Sequence, residues 1–276
     1  MRRWSWLQPV LDRPTFLVGC GRSGTTIAGR MLARHPLVTY LNEPRELWAE
    51  LVPASDIWSK DAGARGGRLV LEAADATPAV SRALRRAFAR QTARSGRPRL
   101  VEKLPVNAFR LSFLAAALPE ASFLVIVRDG VAVARSIARF TADQPWFGID
   151  DYKWRALSAH AEARDATRGL PALCTDGFRR GLLEWRLSVE AALGFVEGPG
   201  HDRSLTVRYE DVLCNPRRTL GKVLPFLNLP PSPEVDTFVM TEIARQGLTE
   251  LEAPLGATGD RIAGPLLARL GYARRS

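Results

Sequence analysis

The sequence predicts an α/β fold, a parallel sheet with helices on both faces. Five short apolar runs of β-type composition recur along the chain: 15-TFLVG-19, 37-LVTYL-41, 99-RLVE-102, 122-SFLVIV-127 and 204-SLTVRY-209. Helical patterns lie between them, and strands that alternate with helices favour parallel pairing. The first run also leads into a glycine-rich turn, 19-GCGRSGTT-26, that opens a helix. At 276 residues the chain accommodates one large domain with insertions or two small ones.

The elements follow in order. The helix after Gly24 runs to about Arg34. A second starts after Thr77, with Pro78 at the first helical position, where its missing N–H costs nothing. Further helical patterns cover 107–118, 130–140, 176–197 and 216–227. Two segments break the alternation. One is 45–98, with Pro53 and the pair Gly66 and Gly67; the other is 141–175, with Pro145, Trp146 and Trp154. Insertions in such sheets commonly rise over the strand C-terminal ends, where ligands sit. These two are expected to wall an acceptor cleft.

Composition narrows the classes. Hydrophobic residues make up 46% and charged residues 25%, as in ordinary soluble globular chains. No apolar run approaches the roughly 20 residues of a membrane span. The first 14 residues lack the apolar core of a secretory signal. Cys20, Cys174 and Cys214 are odd in number and far apart, and read as free thiols of a cytoplasmic protein. His35, His160 and His201 form no metal signature. Net charge is +10, and only Lys60, Lys103, Lys153 and Lys222 among the 39 basic residues are lysines. An anionic ligand and a plain preference for arginine account for this charge equally well. No basic run with interleaved aromatics points to nucleic acid.

The loop 19–26 reads as two motifs at once. Gly19, Gly21 and Gly24 spell the dinucleotide fingerprint, while Gly19 to Thr26 spell a P-loop in which Thr25 replaces the lysine. Either way, backbone N–H groups and a helix N-terminus converge on a phosphate-like group. Glu43, after the next apolar run, suits a ribose ligand, but Pro44 and the long insertion disturb the expected rhythm. A nucleoside triphosphate with magnesium is disfavoured, because the lysine is missing and no strand ends in a clear metal-binding aspartate. A second anion site stands downstream: the strand 122–127 delivers Arg128, and Ser136 lies about two turns into the next helix. Together they offer a charged fork and a hydroxyl to one anion.

Taken in order, 21-GRSGTT-26, 122-SFLVIVRDGVAVARSI-137 and 205-LTVRYEDVLCNPRRTLGKVLPFLNL-229 resemble the sulfotransferase family that uses 3′-phosphoadenosine 5′-phosphosulfate. The similarity runs from Phe16 to about Leu229 and is nearest to bacterial carbohydrate and small-molecule members and to the tyrosylprotein group. It implies a single domain over 1–276 with a P-loop-like parallel sheet of about five strands and a helical C-terminal segment over about 230–276. It also implies sulfuryl transfer without metal to a small-molecule, glycan or lipid-like acceptor. The loop would then hold the 5′-phosphosulfate through Gly21, Ser23, Gly24, Thr25 and Thr26, with Arg22 reaching the sulfuryl group. Arg128 and Ser136 would bind the 3′-phosphate, and Tyr209 would lie near the nucleotide. Glu43, at the tip of its strand beside the loop, matches a catalytic base, with Glu46, His160 and His201 as alternatives. Lys103, in 101-VEKLP-105, stands at a strand end before a proline and would be the second cation near the sulfuryl group. Trp48, Trp58, Trp146 and Trp154 would furnish the acceptor cleft. The C-terminal stretch 254–264 departs from the family pattern of a closing loop, leaving only Thr258 and Arg261 for that part. The rivals are a metal-dependent nucleotide kinase and a nucleotide-binding module without turnover.

Overall fold

A computed structural model of the chain describes residues 11–141, 145–243 and 255–272. Strands β1 (Thr15–Val18), β2 (Val38–Asn42), β3 (Arg99–Lys103), β4 (Ser122–Val127) and β5 (Ser204–Arg208) form one parallel sheet in the order β2-β3-β1-β4-β5. Each stands where an apolar run predicted it. The central strands β1 and β4 are buried along their whole length, as strands covered on both faces must be. Alternate residues serve opposite faces. Phe16, Val18 and Phe123 join one core, and Leu17, Leu124 and Ile126 join the other.

The order places the ends of β1, β3 and β4 side by side. From β1 the chain runs to the edge strand β2, returns through β3, and crosses over β1 to β4. This reversal of direction around the central strand is where open parallel sheets bind ligands. It also corrects one expectation. β3 lies between β1 and β2, with Leu17 and Asn42 both in register with Lys103. Glu43 is therefore one strand removed from the loop and meets it through Lys103.

One face carries α1 (Thr25–Ala33), α8 (Tyr209–Cys214), α9 (Pro216–Phe226) and α10 (Pro233–Phe238). The other carries α3 (Pro78–Ser95), α4 (Leu111–Ala117), α5 (Gly130–Thr141), α7 (Gly177–Val196) and α11 (Gly256–Arg269). The start signals are local. Thr77 accepts the N–H of Val80 ahead of Pro78, and Asp176 accepts the N–H of Arg179 at the head of α7. The insertion 45–98 contains α2 (Arg45–Leu51) besides α3, and 141–175 contains α6 (Tyr152–Glu162). Among the described residues no helix is long and apolar enough to cross a membrane.

The helical pattern over 107–118 is split. A 3-10 stretch, Pro105–Phe109, precedes α4, and Arg110 sits between them with φ −129°. Its side chain is fully buried and donates to the carbonyls of Ser55, Arg68 and Leu69 at 2.7, 3.0 and 3.2 Å. Burial lowers its pKa to about 9. A charged side chain so placed pins the first insertion to the turn ahead of α4 through those three carbonyls. Arg110→Ala is expected to lower stability by roughly 3 kcal/mol, from the cavity and the orphaned carbonyls together. Urea unfolding of the variant beside the wild type checks this.

Candidate active site

The loop after β1 is shaped by backbone conformation and by crowding. Gly24 has φ 88°, and a Cβ there would lie 2.1 Å from the Tyr209 ring. A Cβ on Gly21 would lie 2.6 Å from the Trp146 ring. The chain thus passes against two aromatic rings at positions where only glycine fits. Arg22 (φ 68°) and Glu43 (φ 49°) take left-handed conformations without being glycine. Such strain costs of order 1–3 kcal/mol per residue and concentrates at functional sites. Thr25 and Thr26 begin α1, whose first turn faces the loop.

A cleft of about 340 Å³ opens beside this loop, lined by Gly21, Arg22, Gly24, Thr25, Thr26, Ile27, Arg30, Glu43, Pro105, Arg128, Ser136, Trp146 and Tyr209. Three arginines therefore face one hollow. Arg22 Nε donates to Ser136 Oγ at 3.0 Å, and its guanidinium lies 5.5 Å from the Phe140 ring centre. Arg128 donates to the Arg22 carbonyl at 3.2 Å and lies 4.2 Å over the Tyr209 ring. In turn the Arg128 carbonyl accepts from Trp185 Nε1 at 3.0 Å. Arg22, Arg128, Ser136 and Tyr209, drawn from three separate segments, form one contact network.

A second, narrow hollow of about 30 Å³ adjoins the first, enough for a water or two. Trp58, Leu104, Val106, Phe109, Lys153 and Glu184 are among its walls. Gly21, Glu43, Pro105 and Trp146 line both hollows, so the two meet beside the Glu43 carboxylate.

At that junction Lys103 Nζ donates to Glu43 Oε1 at 2.7 Å and to Thr26 Oγ1 at 3.1 Å. The Lys103 side chain is 1% exposed. Arg45 Nη2 donates to Glu43 Oε2 at 2.7 Å and stacks 4.6 Å over Trp58. Burial pushes the Glu43 carboxyl upward, but the hydrogen bonds and charges of Lys103 and Arg45 together outweigh it, leaving the pKa below the usual range. Glu43 is thus ionised, with both oxygens engaged. The preceding residue of β3, Glu102, points to the opposite face and takes the Trp48 N–H at 2.8 Å. Trp48 belongs to α2, so this bond ties down the segment that carries Glu43 and Arg45.

The model of the sulfotransferase family matches residues 14–233. The chain belongs to the sulfotransferase family. A protein-tyrosine sulfotransferase of Drosophila melanogaster is 27% identical over 218 residues, 78% of this chain and 38% of that protein. Protein-tyrosine sulfotransferase 1 of Danio rerio is 27% identical over 220 residues, covering 78% and 53%. The chain thus spans about half or less of these relatives' length. Among solved structures, the sulfotransferase domain from the curacin biosynthetic pathway superposes with a TM-score of 0.55 at 17% identity, covering 96% of this chain and all of that one. That likeness shows a shared sulfotransferase fold.

Several residues singled out from the sequence stand apart from the two hollows. Ser23 is fully buried under the loop, and its Oγ has no hydrogen-bond partner among the described residues. Glu46 is exposed in the first turn of α2. His160 packs edge-on against Phe109 beside Arg164, and burial lowers its pKa to about 4. His201 lies exposed ahead of β5. Trp48 and Trp154 belong to the core, so only Trp58 and Trp146 of the four tryptophans line the narrow hollow. Thr258 and Arg261 lie in α11, which packs on α7 through Arg186 donating to the Ile262 carbonyl at 3.0 Å. Thr258 lines a separate cavity with Asp176 and Arg179. The stretch 256–264 is therefore helix packed on the domain, while 244–254 lies outside the described residues. Among the described residues no group of three His, Cys, Asp or Glu is placed to hold a metal.

Sequence reasoning passed over Arg30, Ile27, Lys153 and Glu184. Arg30 and Ile27 lie on α1 within one to two turns of the loop, so helix periodicity alone could have turned them toward the cleft. Lys153 and Glu184 form a buried pair at 2.7 Å between elements 31 residues apart, which no local pattern announces.

The Lys103–Glu43 contact has a pH consequence. A carboxylate with a depressed folded pKa contributes stability that is present above its unfolded pKa and lost as pH falls through the folded value. Removing Lys103 removes the foremost group that lowers it. In Lys103→Met, Glu43 is expected to protonate at higher pH than in the wild type, and the variant to be less stable at neutral pH, with the stability gap between the two narrowing as pH falls through the carboxylate range. Carbon-13 titration of the Glu43 carboxyl, with urea midpoints across the same range, measures both; an unmoved titration would show that Arg45 alone holds the carboxylate.

Proposed function

We propose that the chain is a sulfotransferase that moves the sulfuryl group of 3′-phosphoadenosine 5′-phosphosulfate to a hydroxyl or amine of a small-molecule, glycan or lipid-like acceptor. The observation that carries this reading is the meeting of two hollows at Glu43 and the glycine loop. A group-transfer enzyme needs the donor on one side and the nucleophile on the other, with the reacting atoms about 3–3.5 Å apart. The wide cleft suits the donor. Its loop offers backbone N–H groups and the Thr25 and Thr26 hydroxyls to a phosphosulfate, and Arg128 with Ser136 offers a charged fork and a hydroxyl to a 3′-phosphate. The insertions supply Arg45, Trp58, Trp146 and Lys153 to the narrow hollow, which admits the reacting end of an acceptor. The free thiols, two of them buried, fit a reducing cytoplasm.

The chemistry assigned to these residues is positioning and charge stabilisation. In a loose, in-line transfer the acceptor oxygen approaches sulfur as the bond to the 5′-phosphate lengthens. The acceptor proton becomes acidic as the new bond forms, and the ionised Glu43 carboxylate receives it. Charge grows on the departing phosphate oxygen and on the sulfuryl oxygens, beside which the hydrogen-bonded Lys103 and Thr26 are assigned, while Arg22, bonded to Ser136, joins the 3′-phosphate side. A sulfuryl group carries less charge than a phosphoryl group, which lessens the need for a metal clamp. The names of the relatives put a tyrosine hydroxyl among the acceptors to screen.

The donor reading is testable without knowing the acceptor. In EDTA, adenosine 3′,5′-bisphosphate is expected to bind more tightly than 5′-AMP by about 2–4 kcal/mol, because only the former engages Arg128 and Ser136. Arg128→Met should erase most of the difference while barely changing the affinity for 5′-AMP. Calorimetry showing equal affinities in the wild type would contradict the assignment, and binding that requires magnesium would return the kinase reading.

A further inference from the structure

We propose that Trp146 is the barrier that keeps water from the transferring sulfuryl group when no acceptor is present. The inference rests on the sulfotransferase reading of the same site. Among the described residues Trp146 is the one large aromatic side chain that lines both hollows. Its ring lies against the Gly21 backbone, close enough that a Cβ there would fall 2.6 Å from it. That places an apolar face next to the loop that receives the donor.

The ring is held more firmly than a wall requires. Its Nε1 donates to Glu184 Oε2 at 2.7 Å, and the other oxygen of Glu184 takes Lys153 Nζ, also at 2.7 Å. Glu184 is 4% exposed and Lys153 6%. The Lys153 ammonium lies 4.5 Å over the Trp146 ring, and Phe140 meets that ring edge-on at 5.3 Å. A buried ion pair is weak evidence for stability, since desolvation offsets most of its attraction. Here both of its members also grip one indole, so the pair fixes the ring's position and tilt. The adjoining hollow, lined by Glu43, has room for a water or two. A water there could attack in place of the acceptor. Its oxygen would bond to sulfur, the bond from sulfur to the 5′-phosphate oxygen would break, and its protons would pass to solvent, giving adenosine 3′,5′-bisphosphate and sulfate. The ring's apolar face and fixed position oppose the placement of such a water in line with the leaving group.

The test needs no acceptor. Release of adenosine 3′,5′-bisphosphate from saturating donor is followed in the wild type, Trp146→Ala and Trp146→Phe, with the bisphosphate affinity of each measured separately. Trp146→Ala is expected to raise the hydrolysis rate per bound donor about tenfold, whatever its own affinity for the bisphosphate. Trp146→Phe keeps a ring but loses the N–H to Glu184, and should show a smaller rise. A gain in rate is the decisive sign, because mere structural damage slows a reaction. Unchanged or slower hydrolysis per bound donor in Trp146→Phe would overturn the inference, even if Trp146→Ala does not fold. A wild type that neither binds the bisphosphate nor releases it from the donor would overturn the functional reading itself, and this inference with it.

Discussion

The site depends on how little room the glycine loop has. Its backbone runs between the Tyr209 ring, from the segment after β5, and the Trp146 ring, from the second insertion. Any side chain at Gly24 or Gly21 would collide with one of them. The contacts work in both directions. The loop needs glycines, and the rings need the loop, because each finds its resting place against bare backbone. Tyr209 then carries Arg128 on its face, and Arg128 reaches back to the Arg22 carbonyl. A strand–turn–helix motif thereby gathers Trp146, Arg128 and Tyr209 from three remote segments.

The second constraint is the clamp on Glu43. Its backbone N–H bonds to the Lys103 carbonyl at 2.7 Å, while its carboxylate holds the Lys103 ammonium. Backbone and side chain together tie the tip of β2 to the end of β3, and Lys103 carries the link on to Thr26 in the loop. A lysine serves here where an arginine would not: one compact ammonium, almost wholly buried, joins an oxygen just past the tip of β2 to one at the start of α1. The acid that faces both hollows is thus placed by the same residue that bears positive charge toward the loop.

Much of this was legible in the sequence, and the failures have physical causes. The five strands and the starts of α3 and α7 follow from apolar runs, a threonine before proline and a capping aspartate, all local signals. The place of β2 at the sheet edge did not follow, because apolar content does not fix strand order. Within the C-terminal segment expected to be helical, α11 holds despite the poor helix formers Gly256, Gly259, Gly264 and Pro265, because Ile262, Ala263, Leu266 and Leu267 are buried on it and packing overrides propensity. Trp48 and Trp154 read like cleft residues for the reason Trp58 and Trp146 do; only the fold separates core from wall. In the site, the loop, Glu43, Lys103, Arg128, Ser136 and Tyr209 come together. Arg22 turns toward Ser136, and Ser23 turns inward, a difference in side-chain direction that spacing cannot encode.

The account stands or falls on Glu43 as the group that receives the acceptor's proton. The direct measurement is a single-turnover rate for Glu43→Gln, with labelled donor and an acceptor that the wild type sulfates, beside the nucleotide affinity of the same preparation. The amide keeps the size but cannot take the proton. Turnover is expected to fall by roughly 10²–10⁴ with donor affinity nearly unchanged. Near-normal turnover would remove Glu43 as the base. A loss of nucleotide affinity ahead of turnover would make it a ribose ligand instead.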